Sequence, residues 1–179
     1  MNAFIRHLGQ HYSQLSPLIK QAHIGTIRLE GEVFVRHGNA LARLMCRVLK
    51  MPRAGESVQL IVDGFHEEDR MRWHRTFDGH EMRSGFIAQD DFLIEHLGPL
   101  KLWLKLAVDA DGSLDYHLKR TSLWGIALPK WMAPELKASE SEREGNYDFY
   151  VGISLPLVGK LIEYGGLIRL LPTPEGLAG

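Results

Sequence analysis

The 179-residue chain has one cysteine, Cys46, and so holds no internal disulfide. It needs none, because a chain of this length buries roughly 70% of the surface its unfolded form exposes. Cys46 lies in an apolar helical pattern with Leu44, Met45 and Val48, which predicts a buried small hydrophobe rather than a reactive thiol. Charge of one sign is also lacking. The 21 basic and 22 acidic residues leave a net charge of −1, so the basic stripe of a nucleic-acid binder is missing and no nucleic-acid partner is expected. No uninterrupted apolar run is long enough for a membrane span. The most apolar stretch, Ile153 to Leu171, is broken by Lys160, Glu163, Arg169 and three glycines after Pro156, so no stable membrane insertion is expected. Met1 to Gly25 carries three histidines and no apolar core, which reads as no signal peptide and predicts a cytoplasmic protein. There is no glycine-rich phosphate loop or dinucleotide fingerprint, hence no expected cofactor, and Ser84-Gly85 lacks the frame of a hydrolase nucleophile.

What remains is an ordinary globular composition, 45% hydrophobic and 24% charged, which predicts a single domain over 1–179. Residues 1–52 read as helices and a first strand, 56–171 as an antiparallel meander and 172–179 as a tail. Phe4, Leu8, Tyr12 and Leu15 recur at helical spacing, and Ser16-Pro17 restarts a short helix. From Thr26 the period becomes two, with Ile27, Leu29, Val33 and Val35 on one face. Asn39 caps a helix whose apolar stripe is Leu41, Leu44, Met45, Val48 and Leu49, and Pro52 stops it. Alternating runs follow from Val58, Met71, Phe92, Leu100, Leu114 and Tyr147, separated by hairpin signals such as Asp78-Gly79 and Asp111-Gly112.

Few residues stand out chemically. His7 and His11 share a predicted helix face, but no third ligand accompanies them and no metal is expected. Asp109-Ala110-Asp111-Gly112 resembles the start of a calcium loop, yet Arg120 stands where the bidentate glutamate belongs, so it reads as a hairpin turn. Glu140, Glu142 and Glu144 alternate and read as the solvated face of a hairpin. The informative outliers are Arg75, on the face of Met71, Trp73 and Phe77, and Glu95, on the face of Leu93 and Leu97. A charge on an inward face is costly unless paired. An Arg75–Glu95 pair inside the sheet is therefore expected, either as a structural ion pair or with Arg75 as the polar anchor for a ligand head group; a one-residue slip in register would reverse both faces.

A set of spaced residues adds a family resemblance. It comprises His23, the strand and helix ending in Leu49-Lys50-Met51-Pro52, Trp73-x-Arg75-x-Phe77, Ser84 and Glu95-x-x-Gly98-Pro99. It continues through Leu123 to Pro129, Pro156-x-x-Gly159 and Tyr164-x-Gly166, with His96 a modest departure. In order and spacing the chain resembles a bacterial family, domain of unknown function 4166. Its members are similar to domains found alone or attached to nicotinamide-dependent reductase-like proteins, which implies small-molecule metabolism without naming a substrate.

These readings converge on an α+β fold: two or three N-terminal helices against a strongly curved antiparallel sheet or barrel of about eight to ten strands, a size that can enclose a small ligand. The expected function is binding of a small, largely apolar molecule, with Arg75 and Glu95 inside and Trp73, Phe77 and Trp103 as wall residues. Trp103 shares its face with Lys101 and Lys105. The alternatives are an enzyme using His23, Glu95 or Tyr164 for acid–base chemistry, and an interaction domain with a filled core.

Overall fold

A computed structural model describes residues 2–172 of the chain; the expected tail, 172–179, lies outside them except for Pro172. Capping residues start the helices. Asn2 Oδ1 accepts the Ile5 N–H and opens α1 (Ala3–Leu8). Ser16 Oγ accepts the Ile19 N–H at α2 (Pro17–Ala22), with Pro17 at the first helical position. The single helix expected through Leu15 is broken at Gly9, where φ is 54°, and continues as a 3-10 turn over Gly9–Gln14. His7 thus lies on α1 and His11 on the 3-10 turn, so the two do not share one continuous helix. Asn39 caps α3 (Ala40–Val48), which ends before Pro52.

The strands are β1 (Gly25–His37), β2 (Gly55–His66), β3 (Met71–Phe77), β4 (His80–Gln89), β5 (Phe92–Leu97) and β6 (Leu100–Val108). They continue as β7 (Leu114–Leu123), β8 (Ile126–Ala127), β9 (Glu135–Arg143), β10 (Asn146–Leu155) and β11 (Gly159–Leu171). Every pairing is antiparallel. Strands pair in chain order from β1 to β7, β11 returns to β1, and β9 joins β7. The outcome is a closed ten-stranded antiparallel barrel with β8 as an extra strand beside β7. Alternation sends Leu29, Leu60, Met71, Leu93, Leu104, Leu114 and Ile168 to the interior, where all are buried.

Closing the ring requires local twist, supplied by register shifts in the β1–β2, β6–β7 and β10–β11 pairs. Strand β11 adds Gly165 and Gly166. A Cβ on Gly165 would sit 2.4 Å from the Phe149 carbonyl oxygen, a backbone atom that cannot swing aside, and Gly166 has φ +152°. The two barrel ends are closed differently. The turns β2–β3, β4–β5, β6–β7 and β9–β10 share one end with α1, the 3-10 turn and α2, where Phe4, Ile19 and Ala22 are fully buried. This helical plug touches β4, β5, β6, β9 and β10. At the other rim, α3 packs on β11 and β1 through its small residues Ala42 and Cys46. Cys46 is thus the buried small residue expected. The larger apolar stripe of α3 faces outward, contrary to the usual orientation of such a helix.

Gly165→Ala is expected to lower unfolding free energy by about 2 kcal/mol or more, because backbone must move. Phe4→Ala should cost about 3–5 kcal/mol, since the plug would lose its main anchor. Chemical denaturation measures both; a loss below about 1 kcal/mol in either would contradict the close approach of β11 or the plug.

Candidate functional site

The plug and the barrel meet at a buried polar cluster. Just after α2, His23 is held by its backbone: its carbonyl accepts Asn2 Nδ2–H at 2.7 Å. The imidazole stacks on Phe4, centroids 3.8 Å apart and rings within 6° of parallel, and lies 5.4 Å from the Trp73 ring. Its Nε2 is 2.8 Å from Glu140 Oε2, and Glu140 is only 7% exposed. Glu140 stands on the inner face of β9 with Leu136 and Ala138, opposite Phe149 of β10. Tyr116 of β7, paired with Ala138, reaches diagonally to donate its hydroxyl to Glu140 Oε1 at 2.6 Å.

Burial alone would push the Glu140 carboxyl up, but the nearby His23 charge and hydrogen bonds from His23 and Tyr116 outweigh it and hold it below the usual carboxylate range. The ionised carboxylate therefore accepts from His23 Nε2–H. The Tyr147 hydroxyl lies near enough to help, yet makes no hydrogen bond of regular geometry. Burial, followed by the Glu140 charge, raises the Tyr116 and Tyr147 phenols well above their ordinary value, so both stay protonated. His23 Nδ1 and the Tyr147 hydroxyl are buried with no hydrogen-bond partner among the described residues.

His66 completes this end. Trp73 Nε1–H donates to its Nε2 at 3.2 Å, so the proton sits on Nδ1 and is donated to the Gly25 carbonyl at 2.9 Å. Desolvation, then the His23 charge, lowers the His66 pKa to about 3. Protonating Nε2 would also break the Trp73 bond.

Further along the interior, Arg75 Nη1–H donates to Ser84 Oγ at 2.9 Å, and Arg75 Nη2 lies 3.7 Å from Glu95 Oε1. The guanidinium also stands 5.3 Å from the Trp73 ring. The expected pair therefore forms in the expected register. A cavity of about 110 Å³ runs beside these groups. Arg75, Glu95, Trp73, His23 and Tyr164 all line it. The rest of its wall is mainly aliphatic and aromatic, from Leu60 and Val62 on one side to Phe149 and Ile162 on the other. Phe77 points inward but is packed edge-on against Tyr164 at 5.3 Å, outside the cavity lining. Trp103 also lies outside the lining: Leu102 and Leu104 take the inward positions of β6, leaving Trp103 outward with Lys101 and Lys105, where Arg120 stacks on it at 4.2 Å.

Glu140 corrects the reading of β9 as a solvated face: Glu142 and Glu144 are exposed, but Glu140 is turned inward. Tyr116, Tyr147 and His66 were not singled out either. Tyr116 and Tyr147 sit in ordinary alternating apolar runs, so no pattern marked their hydroxyls. A glutamate in phase with Leu136 and Ala138 was the one available signal.

The pH dependence follows from His66. Its folded pKa lies below the unfolded value near 6.5, so below that pH the unfolded chain binds a proton the folded one does not. Stability is full above pH 6.5 and falls toward pH 3, by at most roughly 1.4 kcal/mol per pH unit. His7, His74 and His96 are lowered by burial in the same direction, so the slope is shared. Denaturation between pH 6.5 and 4.5 should show a shallower slope for His66→Gln than for the wild type; identical slopes would contradict the desolvated His66.

Comparison with curated proteins returns no match. The model of one family, described as a domain of unknown function, DUF4166, matches residues 15–168, a span that takes in His23, the Arg75–Glu95 pair and Glu140. The chain belongs to the DUF4166 family.

Proposed function

We propose that the barrel binds a small, largely apolar molecule, with its polar end at His23 and Tyr147 and its apolar body along the aliphatic wall. The observation that carries this reading is the pair of orphaned polar atoms, His23 Nδ1 and the Tyr147 hydroxyl, on two side chains that line a mainly apolar cavity. Buried polar groups are normally satisfied, and a bound head group would satisfy these. The volume of about 110 Å³ compares with an apolar cavity of about 150 Å³ that holds benzene, so a ring-sized or short-chain molecule fits. Charge narrows the head group. Each interior charge already has a partner: Arg75 is engaged by Glu95 and Ser84, and Glu140 by His23. A neutral hydroxyl or carbonyl group suits this balance better than an anionic one.

A second reading, proton transfer on such a ligand, is favoured by one arrangement: His23 is bonded through Nε2 to an ionised Glu140 and has Nδ1 unengaged. The two readings share the cavity and differ in what becomes of the ligand.

Mass spectrometry of an organic extract of the purified protein, against a control protein from the same host, should recover a compound in stoichiometric amount. Ala138→Phe, which fills the cavity, should lose it while remaining folded. Tyr147→Phe should weaken binding about tenfold, the value of one hydrogen bond, while costing less than about 1 kcal/mol of stability. Recovery of the same compound from the filled variant would contradict the binding site. Incubating the loaded protein in D2O separates the readings: a binder returns the ligand unlabelled, whereas deuterium at a carbon position would establish proton transfer.

A further inference from the structure

The rim opposite the plug carries an unusual surface. Among the described residues, every exposed large apolar side chain except Ile24 lies there. Three elements supply them. Helix α3 presents Leu41, Leu44 and Val48, and its C-cap adds Leu49; the β10–β11 turn presents Leu157, fully exposed at its tip. The β7–β8 turn, β8 and the following loop present Trp124, Ile126, Trp131 and Met132. Side chains as large as Val48, Trp124, Ile126 and Trp131 expose between 71% and 75% of their surface. The strand order makes these elements neighbours: α3 sits over β1 and β11, the second turn joins β10 to β11, and the third segment leaves β7 for β9. They occupy one continuous arc of the rim.

Basic residues are interleaved with this apolar surface. From Gly38 to Gly55 the chain carries Arg43, Arg47, Lys50 and Arg53 and no acidic residue. All four are exposed and make no ion pair among the described residues. Lys130, between Pro129 and Trp131, adds another exposed cation. The acidic groups near the arc are largely occupied: Glu56 is paired with Arg36, and Glu163 with Lys160 and Tyr150; Glu135 remains exposed at the start of β9.

We propose that this arc docks the protein on the surface of an anionic lipid bilayer, with α3 lying in the interface and Leu157, Trp124 and Trp131 entering the headgroup region. The pattern is that of an interfacial helix: a large apolar face flanked by arginine and lysine, with tryptophans at the same level. The inverted packing of α3 supports it. The helix uses Ala42 and Cys46 to approach β11 and leaves its bulkier side chains outside, where burial in the protein contributes nothing. Free cations match anionic headgroups, whereas a protein partner of mixed charge would not call for a rim with so little unpaired acid. Among the described residues no helix is long and apolar enough to cross a membrane; the docking proposed is on the bilayer surface. Met51, just beyond α3, lines the cavity, so the docked face lies next to the interior. The docking stands independently of what the cavity holds.

The test is co-sedimentation with phosphatidylcholine vesicles and with vesicles of phosphatidylcholine and phosphatidylserine in a roughly three-to-one ratio. The expected result is partitioning onto the anionic vesicles, loss on raising salt, and a blue shift of tryptophan emission. The double variants Leu44→Gln/Val48→Gln and Trp124→Ser/Leu157→Ser should each reduce partitioning about tenfold or more with unchanged thermal unfolding, because all four positions are exposed. Absence of binding to anionic vesicles at low salt would overturn the proposal, as would binding that both double variants retain in full. A dimer in size-exclusion chromatography that both variants dissolve, without vesicle binding, would instead assign the arc to contact between copies or to a protein partner.

Discussion

The contact on which the rest depends is the buried pair between His23 and Glu140, 2.8 Å apart. It joins the helical plug to the barrel wall, two parts of the chain separated by 117 residues. A carboxylate on an inner strand face is unfavourable unless ionic and hydrogen-bonding partners surround it. Glu140 has them only when His23 is delivered by the plug and Tyr116 by β7. The position of His23 is set in turn by Asn2, which caps α1 with its carbonyl oxygen and grips the His23 carbonyl with its amide. The first turn of the chain thus aligns a polar cluster on β7, β9 and β10.

The same cluster divides the interior into unlike regions. At the plug, aromatic rings surround His23 and a chain of hydrogen bonds from Trp73 through His66 to Gly25 fixes the neutral form of a second imidazole. Arg75, Ser84 and Glu95 follow along the wall, and an aliphatic region adjoins them. The proposed binding of a small molecule with one polar end rests on this gradient from polar to apolar. The outer surface repeats the logic at the opposite rim, where exposed apolar side chains and unpaired cations are mixed.

Much of the barrel was legible because its strands obey a period of two over long runs. Ile27 to Val35 and Val58 to Val62 declare their inner face without ambiguity, and Arg75 and Glu95 stood out because they break such a pattern. Closure of the barrel was less visible, since the Gly165–Gly166 kink and the register shifts act across strands rather than along one. Glu140 was misread because β9 is mostly polar: Leu136 and Ala138 are too weak a stripe to reveal that a glutamate in phase with them points inward. Helix α3 was read correctly as a helix, but periodicity gives the direction of a stripe relative to the helix, not to the protein. Its small residues, Ala42 and Cys46, decided which side met the barrel. Trp103 lay in a run of leucines whose neighbouring lysines marked its true face.

The most direct test of this account is a double-mutant cycle on the plug contact, with His23→Leu, Glu140→Leu and both together, followed by chemical denaturation at neutral pH. Each single change leaves a buried partner unpaired and should cost about 3–5 kcal/mol, whereas the double variant should be less destabilised than the sum by about 1–3 kcal/mol. Additivity within roughly 0.5 kcal/mol would contradict the pair as the link between plug and barrel.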